Sequence, residues 1–225
     1  MLKRYCIVVA GGRGIRMGEE IPKQFLLLNG KPVLIRTLSA IKEFDSKIII
    51  VLALPANQIG AWEKLCNQHS FSHKIQVVHG GKTRFHSVKN ALDAIPNEGL
   101  VAVHDGVRPL ITKDLFERCY NAAEIEGNAI PCISITESMR EITAVGNHQV
   151  DRSKYVLIQT PQVFQTPVLK EAFCLPYEES FTDEASMLEK MGMPIKLVSG
   201  ETNNIKITTK TDLLLAEAII SRPKN

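Results

Sequence analysis

Short blocks rich in Val and Ile alternate with segments of helical period along nearly the whole chain. A sequence patterned this way builds βα units around a mostly parallel sheet. Residues 6–10 read as a buried strand that runs into a glycine-rich loop. Pro32 then opens a helix whose Leu34, Leu38 and Ile41 share one face, with proline in the first turn where its missing N–H is harmless. A second buried strand at 48–54 is stopped by Pro55, a helix carries Trp62 and Leu65, and a strand follows at 75–78. Val88, Ala91, Leu92 and Ile95 mark the next amphipathic helix, residues 100–103 the next strand, and Leu115, Cys119 and Ala122 another helix face. The strand expected at 129–135 contains Pro131, which places it near an edge or a bulge. Further strands are expected at 155–158, 195–198 and 205–208, and helices at 167–173, at 183–191 with Gly192 as stop, and from Asp212 onward. Residues 138–154 break the pattern: polar and apolar positions alternate around Val145-Gly146-Asn147, as in a hairpin, and the stretch reads as an arm projecting from the domain.

With 225 residues, 44% hydrophobic and 23% charged, the chain can bury an ordinary core as one domain, 1–225, without disulfides. The net charge of +3 is too small for a dedicated nucleic-acid surface, so any polyanion site must be local. Five scattered cysteines, with no C-x-x-C spacing, suggest neither a disulfide framework nor a zinc site and fit a reducing compartment. The first apolar run ends at Gly11, too soon for a signal-peptide core, and no stretch approaches a membrane span. The expectation is a soluble, cytoplasmic protein with no membrane partner.

In open parallel sheets the ligand lies beyond the carboxyl ends of the strands, so chemistry is sought in the loops that follow the apolar blocks. The first loop, AGGRGIRMG, combines three early glycines with Arg13 and Arg16, a composition that lets backbone N–H groups approach a phosphate. It is neither G-x-G-x-x-G nor a P-loop, which argues against a dehydrogenase and a P-loop NTPase. A glycine pair alone would be read as a turn; the arginines and the following Pro22-Lys23-Gln24-Phe25 favour a binding loop. The second loop, GGKTRFHS, runs into a helix start, where Thr83 and Ser87 could cap the helix or meet a ligand. The third, His104-Asp105-Gly106-Val107-Arg108-Pro109, sets a carboxylate at a strand end, suited to a divalent cation or a ribose hydroxyl, or to an Asx turn. The histidines show no metal-ligand spacing and read as ordinary polar residues, and the Asp212 region reads as structural.

Taken together, AGGRGIRMG with PKQFL, GGKTRFHSVKNAL, VHDGVRP, QTPQVF, FTDEAS and NNIKITTKTDL stand in the order and spacing of one family. The chain resembles the 2-C-methyl-D-erythritol 4-phosphate cytidylyltransferases over essentially its whole length. The resemblance implies a Rossmann-like α/β nucleotidyltransferase fold with a mostly parallel twisted sheet flanked by helices, and a homodimer joined through the protruding β-hairpin arm. It implies transfer of CMP from CTP, with Mg²⁺, to a polyol phosphate. Position by position, Ala10, Gly11, Gly12 and Gly14 would wrap the triphosphate, Gly81 and Ser87 would contact the cytosine, and Asp105 and Gly106 would lie by the ribose and α-phosphate. Arg16, Lys23, Arg152 and Lys206 match the catalytic cations, and Arg108, Ser138, Thr160 and Thr182 the acceptor contacts, some reached from the partner's arm. Asp105 is the candidate metal ligand, with Mg²⁺ held mainly by the CTP phosphates. Glu137-Ser138-Met139-Arg140 stands where the family commonly has Asp-Thr-x-Lys, a change confined to the acceptor half.

Elementary chemistry points the same way. A phosphate monoester loses its second proton near about pH 6, so the attacking oxygen is already ionised at neutral pH and needs no strong base. The obstacle is repulsion between two polyanions, which positioning and charge neutralisation must overcome. Without the resemblance, Arg152 would read as an arm contact and Lys206 as a solvated strand end. The rival acceptors are ribitol 5-phosphate or another pentitol phosphate; a rival of another class is a nucleotide-binding protein without turnover.

Overall fold

The computed structural model describes residues 2–12 and 21–221. In chain order these form β1 (Arg4–Val9), β2 (Leu27–Leu28), β3 (Lys31–Pro32), α1 (Val33–Phe44), β4 (Ile49–Leu54), α2 (Ile59–Gln68), β5 (Gln76–His79), α3 (Arg84–Asp93), β6 (Leu100–Asp105), α4 (Lys113–Glu126) and β7 (Asn128–Ser134). There follow β8 (Met139–Thr143), β9 (Gly146–Val150), β10 (Val156–Ile158), β11 (Gln162–Gln165), α5 (Thr166–Ala172), α6 (Glu184–Lys190), β12 (Leu197–Ser199) and α7 (Lys210–Ile220).

The main sheet runs β10-β7-β11-β6-β1-β4-β5, with β12 on β7. β6, β1, β4 and β5 pair in parallel, with Val8 opposite both Leu52 and His104. Only β10 and β11 run antiparallel to their neighbours. Successive side chains of a strand point to opposite faces, and that alternation separates the core into two layers. Cys6 and Val8 pack with Leu34, Leu38 and Ile41 of α1 and with Phe116 and Tyr120 of α4. Tyr5 and Ile7 pack with Val88 and Leu92 of α3, Leu169 of α5 and Leu188 of α6. Each fully buried Leu, Ile or Val adds about 1.5–3 kcal/mol. The sheet is therefore fixed from both sides, and its strand ends are a rigid rim.

Three points of the sequence reading need correction. The strand expected at 205–208 is an extended segment outside the sheet, held instead by the Ile207 N–H to the Val107 carbonyl at 2.9 Å. The sequence QVFQ, given no element from its pattern, is strand β11, inserted between β6 and β7. Pro131 lies in an interior strand rather than at an edge. It sits where β7 passes from β11, opposite Ala129, to β10, opposite Cys132, a break in the ladder that tolerates a missing N–H.

The arm is present as β8 and β9, a two-stranded antiparallel sheet apart from the main one. Asp212 is structural: with Thr209 it forms a capping box at the start of α7. No helix among the described residues is long and apolar enough to cross a membrane.

Candidate active site

The rim at the carboxyl ends of β1, β4, β5 and β6 encloses a cavity of about 390 Å³. Ala10, Gly11 and Gly12 enter it from β1, Pro55 from β4, Gly80 to Arg84 and Ser87 from the β5–α3 junction, and Asp105 from β6. Lys23 and Lys206 close it. Gly14 and Arg16 lie outside the described residues.

The β1 loop is held from behind. Gln24, fully buried, donates its Nε2 to the Ala10 carbonyl at 2.7 Å and to Gln58 Oε1 at 2.7 Å. The neighbouring Lys23 runs across Gly12: a Cβ on that glycine would lie 3.1 Å from Lys23 Cε and 3.7 Å from its Nζ. A glycine backbone and an ammonium group thus face the same space, the combination that suits a phosphate chain.

The β5–α3 loop folds on Ser87. Its Oγ accepts the Gly81 N–H at 3.0 Å and donates to the Thr83 carbonyl at 2.9 Å, while Thr83 caps α3. A Cβ on Gly81 would stand 2.3 Å from the Cβ of His86, so only glycine allows the loop to close this tightly. The cap reading of this loop holds for Thr83, and Ser87 ties the loop internally while lining the cavity.

Asp105 ends β6 with its carboxylate at the cavity wall. Its Oδ2 lies 3.1 Å from Arg108 Nε and 3.1 Å from Lys206 Nζ. Burial alone would raise its pKa, but the charges of Lys206, Arg84 and Arg108 outweigh that and hold the carboxyl well below its usual range. Behind it, the Asp105 N–H donates to Thr160 Oγ1 at 3.1 Å, and Thr160 Oγ1 lies 3.0 Å from His104 Nδ1. The other ring nitrogen lies 3.2 Å from the Arg108 carbonyl. These partners assign the tautomer: Thr160 donates to Nδ1, and Nε2–H donates to the carbonyl. Burial pushes the His104 pKa down to about 4, so the ring is neutral at pH 7. Arg108 Nη1 and Asn204 Nδ2 then bind the Asn204 and Thr160 carbonyls at 2.7 and 2.9 Å, which locks the segment that presents Lys206.

The sequence-derived residues divide into three groups. Ala10, Gly11, Gly12, Lys23, Gly81, Ser87, Asp105 and Lys206 line one cavity. Gly106, Arg108 and Thr160 are buried beside it: a Cβ on Gly106 would press on Ala10 Cβ at 3.1 Å, and Arg108 and Thr160 brace Asp105. Ser138, Arg152 and Thr182 are exposed and outside the cavity lining, and Arg152 Nη1 donates to the Thr136 carbonyl at the base of the arm. Sequence reasoning passed over Arg84, Gln24, His104 and Asn204. Their signal lies in the same motifs, but their partners are distant in the chain.

A model of the 2-C-methyl-D-erythritol 4-phosphate cytidylyltransferase family matches residues 5–222. The chain belongs to this family. A relative named 2-C-methyl-D-erythritol 4-phosphate cytidylyltransferase from Phocaeicola vulgatus is 48% identical over 219 residues, 97% of this chain and 100% of that protein. Another of that name from Bacteroides thetaiotaomicron is 47% identical over the same shares. Among solved structures, 4-diphosphocytidyl-2C-methyl-D-erythritol synthase from Anaerococcus prevotii superposes with a TM-score of 0.82 at 26% identity, covering 98% of this chain and 99% of that one. The Francisella tularensis cytidylyltransferase gives 0.78 at 31% identity, covering 96% and 99%. The nucleotidyltransferase α/β fold expected from the sequence is the fold of this family.

Proposed function

We infer that this chain transfers CMP from CTP to 2-C-methyl-D-erythritol 4-phosphate, releasing pyrophosphate. The observation that carries the reading is the convergence of the glycine loops, Lys23, Asp105 and Lys206 on one cavity. In the reaction an oxygen of the acceptor phosphate bonds to the α-phosphorus of CTP as the bond from that phosphorus to the β-bridging oxygen breaks. The acceptor oxygen is already ionised near neutral pH. The neutral His104, enclosed behind Asp105, is not needed as a base.

Gly11, Gly12 and Gly14 line the triphosphate with backbone N–H groups, and Gly81 and Ser87 take the cytosine edge. Arg16 and Lys23 neutralise charge that builds on the α-phosphate and the leaving pyrophosphate. Lys206, with Arg152 contributed at the arm, holds the incoming monoester. Ser138 and Thr182, with Arg108 and Thr160 behind Asp105, shape the acceptor side, and Asp105 with Gly106 lies by the ribose and α-phosphate. Among the described residues no group of three or more His, Cys, Asp and Glu side chains could hold a metal, and Asp105 is the single carboxylate lining the cavity. One ionised carboxylate beside a phosphate-binding loop fits Mg²⁺, which keeps water and substrate oxygens as most of its ligands. When bound it would supply charge neutralisation at the triphosphate, with Asp105 as its protein ligand.

The whole chain acts as one catalytic unit, and the arm makes it a homodimer. Ile142 and Val145 are exposed on the hairpin, and Tyr155, Val156, Leu157 and Ile158 form a further exposed apolar strip at its foot. Exposed apolar side chains grouped on and beside one hairpin support an interaction site there. Use of CTP and five free thiols support a cytoplasmic location.

Purified protein with CTP, the methylerythritol phosphate and Mg²⁺ should release pyrophosphate and form the cytidine diphosphate ester. Release no greater than in a reaction lacking acceptor would end the proposal and favour a nucleotide binder. The names of the relatives favour the erythritol phosphate over ribitol 5-phosphate. Competition between the two at equal concentration measures the preference.

A further inference from the structure

Arg84 stands on the cavity wall, yet the reaction just derived gives it no task. It is the first residue of α3, directly after the Thr83 cap, and its side chain is 30% exposed. Its guanidinium meets both oxygens of Glu184, Nη1 to Oε1 at 2.5 Å and Nη2 to Oε2 at 2.9 Å. Glu184 is 1% exposed and opens α6, 100 residues further along the chain. A fork meeting a carboxylate fixes the plane of both groups as well as their separation.

Adhesion alone does not account for the pair. Phe85, the next residue, stacks on Phe173 at 4.8 Å and on Phe181 at 6.4 Å, so aromatic contact already holds the segment before α6 against α3. Apolar side chains in place of a buried ion pair are often as stabilising or more so. What a fork adds is direction. The start of α6 is held from β11 as well: Gln162 Nε2 donates to Asp183 Oδ2 at 2.8 Å, and Gln162 Oε1 accepts the Ala185 N–H at 3.2 Å. Asp183 in turn caps α6 through the Ser186 N–H at 3.0 Å. Thr182 is the residue immediately before this doubly held cap. Arg84 therefore joins the loop of Gly81 and Ser87 to the segment of Thr182, through Glu184, at the wall that also bears Asp105.

We propose that Arg84 and Glu184 are a positioning pair that sets the acceptor segment around Thr182 against the nucleotide loop. The pair governs affinity for the acceptor phosphate and leaves CTP binding to the glycine loops. This rests on the reading of Thr182 as an acceptor contact given above.

The test uses the full-length protein and the variants R84K, which keeps the charge but loses the fork, and R84Q/E184Q, which removes both charges without stranding either. Steady-state rates are measured with varied methylerythritol phosphate at saturating CTP and Mg²⁺, CTP affinity by calorimetry, and hydrogen exchange on peptides covering 80–87 and 181–191. Both variants should raise the acceptor KM roughly tenfold or more, keep kcat within about threefold and hold the CTP dissociation constant within about twofold. Exchange should quicken in 181–191 and stay unchanged in 80–87. R84K preserves the charge balance and carries the test should the double variant fail to accumulate. A CTP affinity that falls as far as the acceptor affinity would make Arg84 a nucleotide ligand and overturn the proposal. An unchanged acceptor KM in folded R84K would overturn it too. Failure of the wild-type protein to use the acceptor would instead remove the underlying reading, and that result is visible before any variant is compared.

Discussion

Asp105 is where the most charge meets at the site, and its neighbours give that residue two measurable consequences. Replacing it by Asn leaves Arg108 buried, and Lys206 half-buried, without their counter-ion. The D105N variant should lose about 3 kcal/mol of stability in urea unfolding, because a broken buried pair costs more than the pair contributed. His104 sets a separate acid limit. Its folded pKa of about 4 lies below the ordinary 6.5, so between these values the unfolded chain binds the extra proton and stability falls as pH drops. Asp105, also depressed, adds a loss only below its ordinary value of 3.8. Urea midpoints measured from pH 7 to pH 4 should decline, and the H104Q variant should flatten that decline. At Lys23, alanine should lower kcat by roughly a hundredfold while CTP affinity changes by less than about fivefold, since a charge aimed at developing negative charge acts mostly in the transition state. Equal losses in both, by rapid-quench turnover and calorimetry, would remove that role. Residues whose chemistry is explicit in a loop, such as Lys23 and Asp105, were legible as candidates from sequence, whereas Lys206, a solvated strand end by its pattern, became a candidate through the family resemblance alone; all three line the cavity. Arg84 and His104 were not legible, because their meaning comes from Glu184 and Thr160, 100 and 56 positions away.

Among the elements, the buried parallel strands and the helices between them were readable because their apolar spacing is dictated by the two-layered core. Strand β11 escaped because two apolar residues, Val163 and Phe164, between polar glutamines carry no alternation that separates them from a loop; neighbours β6 and β7 make the strand by supplying its ladder. Residues 205–208 alternate like a strand, yet the Ile207 N–H bonds the Val107 carbonyl and the Thr208 N–H bonds the Asp212 carboxylate, not a sheet edge. The arm was readable from the opposite signal, a stretch too polar for the interior. The homodimer proposed through the arm is tested by deleting residues 140–147, which should leave a monomer in sedimentation velocity where the intact chain is a dimer. An unchanged sedimentation coefficient after correction for mass would show that the contact lies elsewhere, with the exposed strip at Tyr155 to Ile158 the next surface to alter.

For the molecule as a whole, the account holds that catalysis is positioning and charge neutralisation: a glycine-lined pocket with fixed cations brings two polyanions together. Nothing in that scheme removes a proton during the chemical step. The pH dependence of kcat/KM for the acceptor tests it most directly. The profile should rise with unit slope through the second ionisation of the phosphate monoester, near about pH 6, and then stay level to about pH 9. It should be the same in H104Q. A rising limb that follows a protein side chain, and that shifts or vanishes when that side chain is replaced, would reveal a general base and contradict the account.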